Sequence, residues 1–184
     1  MMGGAAAGAG NPSVSGAPMM GNGAAGMMGA EPGYDYSQSS CSAPTPLPGA
    51  TVTVMLGDMG MTQMMSGTAP LGTRMMLRSA PIAVPAGQIS FVVSNMGWRT
   101  HEMVILPLAA GAAAGARVPG TEGKVDEAGS VGEVSQSCAE GAGDGIASGA
   151  VGWITLTLAP GHYELVCNLQ NHYADGMYQA FDVT

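Results

Sequence analysis

Two kinds of pattern divide this chain. Over residues 1 to 45 the apolar and polar positions have no period: MMGGAAAGAGNPSVSG and the residues after it mix Gly, Ala, Met, Ser and Pro with almost no charge. Such a tract buries too little apolar surface to offset its chain entropy, so it reads as a flexible tether. From Pro46 onward the pattern changes to short runs of apolar residues, many alternating with polar ones, separated by Gly and Pro. ATVTVML (50–56) alternates, and PIAVPAGQISFVVSNMG (81–97) reads as strand, Pro-Ala-Gly turn, strand. HEMVILPL (101–108) is another strand. GWITLTLAPGHYELVCN (152–168) gives two strands around Ala-Pro-Gly, and MYQAFDVT (177–184) closes the chain. β-branched and aromatic residues punctuated by turn residues predict strands. No segment shows a helical period, and no repeat of roughly 20 to 50 residues appears. The expectation is an all-β domain over 46–184, a Greek-key β-sandwich. Residues 109–150, Gly/Ala-rich and weakly periodic, are expected to form a structured surface insertion.

Composition narrows the partners. With 13 acidic and 5 basic residues the net charge is -8. That sign argues against nucleic acid and anionic membrane surfaces, both of which need clustered Lys and Arg. No run approaches the ~20 apolar residues of a membrane helix. The first residues lack the basic and Leu-rich regions of a secretory signal, so if the chain is exported its signal was removed or lies outside this sequence.

The chemistry concentrates in one loop. Cys167 ends the strand HYELVC, Met177 opens the strand MYQAFDV, and His172 stands at the tip of the nine residues between them. A loop this tight points a thiolate, an imidazole and a thioether at one place. Those donors suit copper, and two His, one Cys and a weak axial Met make up a blue-copper electron-transfer site. His101, which starts a strand after the SNMGWRT turn, is the better second histidine. His162 is expected to lie roughly 16 Å from Cys167, at the far end of five residues of strand, and to face solvent.

C-x4-H-x4-M preceded by APGHYELVC, together with Asn95, Gly97 and His101 in N-x-G-x3-H, resembles the cupredoxins, the type 1 blue copper proteins. Among them it looks most like the sulfocyanin-like, plastocyanin/azurin-type members of bacteria and archaea. The likeness runs from about Thr51 to Thr184 and includes VDEAGSVGEV of the insertion. It implies one copper ion held by His101, Cys167, His172 and Met177. Two departures stand out. Gln170-Asn171 replaces the Pro-Gly common before the loop histidine, which removes a fixed φ. Glu102 stands where a small polar residue is common, and strand alternation predicts that it points outward.

Cys41 and Cys138 remain, an even pair, which in an exported chain suggests a disulfide closing 97 residues. The implied function is single-electron transfer between redox proteins, such as a cytochrome or a terminal oxidase, by a monomer outside the cytoplasm. The tether would connect to the membrane only through an upstream anchor. Tyr173, Met96, Trp98 and Met103 are expected to form an apolar docking patch around His172. Multicopper enzymes need paired histidines, and this chain has three, none paired. The alternative is copper binding or delivery by the methionines of segment 55–79 (Met55, Met59, Met61, Met64, Met65, Met75, Met76) with Asp58, supported by the pairs Met1-Met2, Met19-Met20 and Met27-Met28.

Overall fold

The computed structural model describes residues 41–58 and 75–184. Residues 1–40 of the expected tether, and Met59, Met61, Met64 and Met65, lie outside the described residues. Among the described residues nine strands form two sheets: β1 (Ala50–Asp58), β2 (Met75–Ala80), β3 (Ala83–Val84), β4 (Gly87–Asn95), β5 (Met103–Pro107), β6 (Gly132–Val134), β7 (Val151–Leu158), β8 (Gly161–Val166) and β9 (Tyr178–Val183). One sheet has the order β2-β1-β4-β7 and the other β3-β9-β8-β5-β6. The chain crosses between the sheets repeatedly, and β1 and β4 pair in parallel although β2 and β3 separate them in sequence. This is a Greek-key sandwich. Among the described residues no helix is long and apolar enough to cross a membrane.

Period-2 alternation explains the first sheet. Val52, Val54 and Leu56 of β1 and Ile89, Phe91 and Val93 of β4 point inward and are fully buried. From the second sheet Ile105, Leu165 and Phe181 meet them, and Phe91 packs edge-on against Phe181 with ring centroids 5.3 Å apart. Burying side chains of this size stabilises the fold by about 1.5–3 kcal/mol each.

In β5 the alternation fails. Met103, Val104, Ile105 and Leu106 are all buried, because the insertion covers the outer face of the second sheet. Val104, Leu106, Val125, Val166 and Tyr173 form a separate apolar cluster there. The insertion is pinned along its length. Gly115 N–H and the Arg117 guanidinium donate to the buried Glu164 carboxylate, and β6 pairs with β5. Ile146 exchanges two backbone bonds with His101. Cys138 is disulfide-bonded to Cys41 across a sequence separation of 97.

Candidate metal centre

His101 owes its position to Asn95 at the end of β4. The Asn95 amide donates to the carbonyls of Arg99 and Ile146, both at 2.7 Å, and its Oδ1 accepts from Gly97 N–H at 2.8 Å. That one side chain therefore closes the 95–101 turn and ties it to the end of the insertion. Gly97 is required for space: a Cβ there would lie 1.9 Å from Asp58 Oδ1 and 3.0 Å from His101 Nε2.

The opposite wall is the loop from Cys167 to Met177. Cys167 N–H donates to Met177 O at 3.0 Å, Met177 N–H to His172 O at 3.1 Å, and His172 N–H to Leu169 O at 3.0 Å. These bonds bring the backbones of the cysteine, histidine and methionine together. Asn171 takes φ 67° in this loop, a left-handed conformation that Asn tolerates better than most residues. The departure from Pro-Gly thus keeps the glycine-like turn while giving up the proline.

The side chains converge. His101 Nδ1 and His172 Nδ1 are 3.2 Å apart, and Cys167 Sγ lies 3.2 Å from His172 Nδ1 and 3.9 Å from His101 Nδ1. Ligand atoms of these three residues all lie within 4.8 Å of one another. Met177 is fully buried in the adjoining core. Glu102 N–H donates to the sulfur at 3.3 Å, a bond that favours the thiolate.

Burial pushes the Cys167 thiol up to about 12, with the N–H groups of Glu102 and Leu169 opposing it. Burial, then the neighbouring His101 and Arg99, push His172 down to about 3. The pocket therefore holds a neutral thiol against a neutral imidazole, and a soft cation that displaces the thiol proton would resolve the crowding. A thiolate, two imidazoles and a nearby thioether fit copper. Asp58 stands behind His101. Its burial opposes ionisation, but the His101 imidazole and the N–H groups of Trp98 and Arg99 outweigh that and hold the carboxyl below its ordinary value.

Several expectations change. Glu102 does not face solvent: it is 8% exposed, buried beside Glu133, Glu127 and Lys124 of the insertion. Its strand begins only at Met103, so alternation did not apply to it. Of the four docking-patch residues, Met96 and Trp98 are exposed, at 71% and 38%. Tyr173 and Met103 are buried, Tyr173 because its hydroxyl donates to Glu164 and its ring packs under the insertion. His162, as expected, is exposed on β8, where it bonds Asp182 at 2.7 Å and stands outside the cluster.

Two residues with clear roles had no such signal. Asp58 sits in a methionine-rich run, and no pattern in the sequence singles out Asn168. Asn168 Oδ1 accepts from Val125 N–H at 2.7 Å and its amide donates to Val125 O at 2.9 Å, which clamps the insertion onto the ligand loop.

The described residues thus form a two-sheet sandwich that holds a buried His–Cys–His cluster. No protein-family model and no curated protein sequence matches the chain. Among solved structures, it is similar to rusticyanin from Thiobacillus ferrooxidans at 17% identity, covering 74% of this chain and 79% of that one, with a TM-score of 0.46. It is similar to reduced auracyanin from the photosynthetic bacterium Roseiflexus castenholzii at 20% identity, covering 74% and 99%, with a TM-score of 0.43. Auracyanin B shows 20% identity over 78% of this chain and 94% of that one, with a TM-score of 0.46.

Proposed function

We propose that this chain is a type 1 copper protein that carries single electrons, with His101, Cys167, His172 and Met177 as ligands to one copper ion. The convergence of His101, Cys167 and His172 in a sealed pocket, beside buried Met177, carries this reading. Copper, when bound, supplies a one-electron couple between Cu(I) and Cu(II). The protein's part is to hold the donors still. Asn95 fixes the turn of His101, the backbone bonds of the 167–177 loop fix the other three, and Glu102 N–H steadies the sulfur. Donors held by the backbone bonds of the 95–101 turn and the 167–177 loop change little between oxidation states, which suits electron transfer better than substrate chemistry.

Met96 and Trp98, exposed on the turn that leads to His101, offer a small apolar contact for a redox partner. Small encounter surfaces are typical of such partners. A disulfide between Cys41 and Cys138 supports work outside the reducing cytoplasm.

The test is a visible spectrum of the protein titrated with Cu(II), with Cys167→Ser alongside. An intense thiolate-to-copper band that saturates at one equivalent and is missing from the variant is expected. Colourless uptake of several equivalents, indifferent to the substitution, would replace electron transfer with copper handling by the methionines.

A further inference from the structure

Asp58 is the last residue of β1, and its side chain has no solvent-exposed surface. Its Oδ1 accepts from Trp98 N–H at 2.6 Å and stands 3.6 Å from His101 Nε2. Among the described residues, Asp58 Oδ2 and His101 Nε2 are the buried side-chain polar atoms left without a hydrogen-bond partner, and they belong to these two facing side chains, whose 3.6 Å contact runs through Oδ1. The backbone opposite has no side chain to crowd the carboxylate, because a Cβ on Gly97 would lie 1.9 Å from Oδ1.

His101 faces Cys167 and His172 with Nδ1. A neutral imidazole that offers the lone pair of Nδ1 must carry its proton on Nε2. That N–H is a buried donor, and leaving it unsatisfied costs about 1–3 kcal/mol. At 3.6 Å the contact is longer than a hydrogen bond. Closing it requires a side-chain movement of under roughly 1 Å to reach ordinary N–H···O length.

We propose that Asp58 is a positioning residue for the metal centre: its carboxylate accepts the His101 Nε2 proton, fixes the tautomer that presents Nδ1, and biases the site toward the oxidised metal. The inference rests on the ligand assignment proposed above. An anionic acceptor makes the imidazole a stronger donor and adds negative charge behind it. Both effects favour Cu(II) over Cu(I). Oriented carboxylate partners of this kind are worth about 10- to 100-fold in metal affinity. A role confined to capping the Trp98 turn needs an acceptor oxygen only, which an amide also supplies.

Asp58→Asn separates the two roles, because it keeps the oxygen for Trp98 N–H and removes the charge. Wild-type and variant proteins loaded with copper are compared by visible spectrum and by reduction potential. The blue band is expected to persist in the variant. Cu(II) affinity should fall about 10- to 100-fold relative to Cu(I), which raises the potential by about 60–120 mV at 59 mV per tenfold change for one electron. An unchanged potential beneath an intact band overturns the proposal. If the variant does not fold, ¹⁵N NMR of the wild-type Cu(I) protein decides. A slowly exchanging proton on His101 Nε2 supports the assignment, and a bare or freely exchanging Nε2 refutes it. A wild-type protein without a blue band sinks the ligand assignment itself and this inference with it, a failure visible before any variant is made.

Discussion

Replacing Asn168 with Ala should loosen the insertion from the ligand loop, and the loss can be worked from the contacts. The Asn168 side chain bonds both backbone groups of Val125, at 2.7 and 2.9 Å, and reaches Glu127 Oε1 at 2.5 Å. Val125 is buried in the outer apolar cluster, so in the variant its N–H and C=O face protein rather than water. Each buried group left unsatisfied costs about 1–3 kcal/mol. Glu127 is exposed and regains water, so it adds nothing. Allowing for local relaxation, the expected loss is about 2–4 kcal/mol. The assay is urea unfolding of the metal-free protein followed by tryptophan fluorescence. With a slope near 2 kcal/mol/M, typical of small domains, the midpoint should fall by about 1–2 M. Asn168→Asp should be no better, since its added charge faces the Val125 carbonyl and the Glu127 carboxylate. A loss under about 1 kcal/mol would show that water or a shifted loop satisfies Val125, and that Asn168 does not hold the insertion.

The same structure sets three other expectations. Burial first, then Glu133 and Glu127, raise the Glu102 carboxyl to about 7 from 4.5. The fold therefore binds this proton more tightly than the unfolded chain does. Glu102 should make the metal-free protein lose stability as pH rises from 4.5 to 7, by up to about 3 kcal/mol at 1.36 per unit. Glu102→Gln should flatten that part of a denaturation-against-pH curve, and an unchanged slope would place the dependence elsewhere. Asn171→Val forces a β-branched residue into a left-handed φ of 67° and should cost about 1–2 kcal/mol in unfolding free energy, whereas Asn171→Gly should be nearly neutral. Removing the Cys41–Cys138 link with paired Ala substitutions frees a 97-residue loop. The expected loss is at most about 4.7 kcal/mol, read from the denaturation midpoint, and no loss would mean that the unfolded chain is already constrained.

Local spacing was enough to place part of the centre. Cys167 and Met177 sit at the facing ends of two antiparallel neighbours, β8 and β9, so the short loop between them delivers His172 to the same place whatever the rest of the chain does. The strand runs were legible for a similar reason: alternation at Val52, Val54 and Leu56, or at Ile89, Phe91 and Val93, comes directly from one buried face. Tertiary structure decided what covers the second face. The period of a strand says which residues share a side, but not whether water or another segment lies against it. The folded-back insertion therefore buried Glu102 and Tyr173, both expected at the surface. It also gave Asn168 and Glu164 partners more than 40 residues away in sequence. Asp58 shows the same limit most sharply. A carboxylate in a methionine-rich run carries no sign of the histidine it will face, because that contact exists only once β1 and β4 pair in parallel and bring the 95–101 turn across the end of β1.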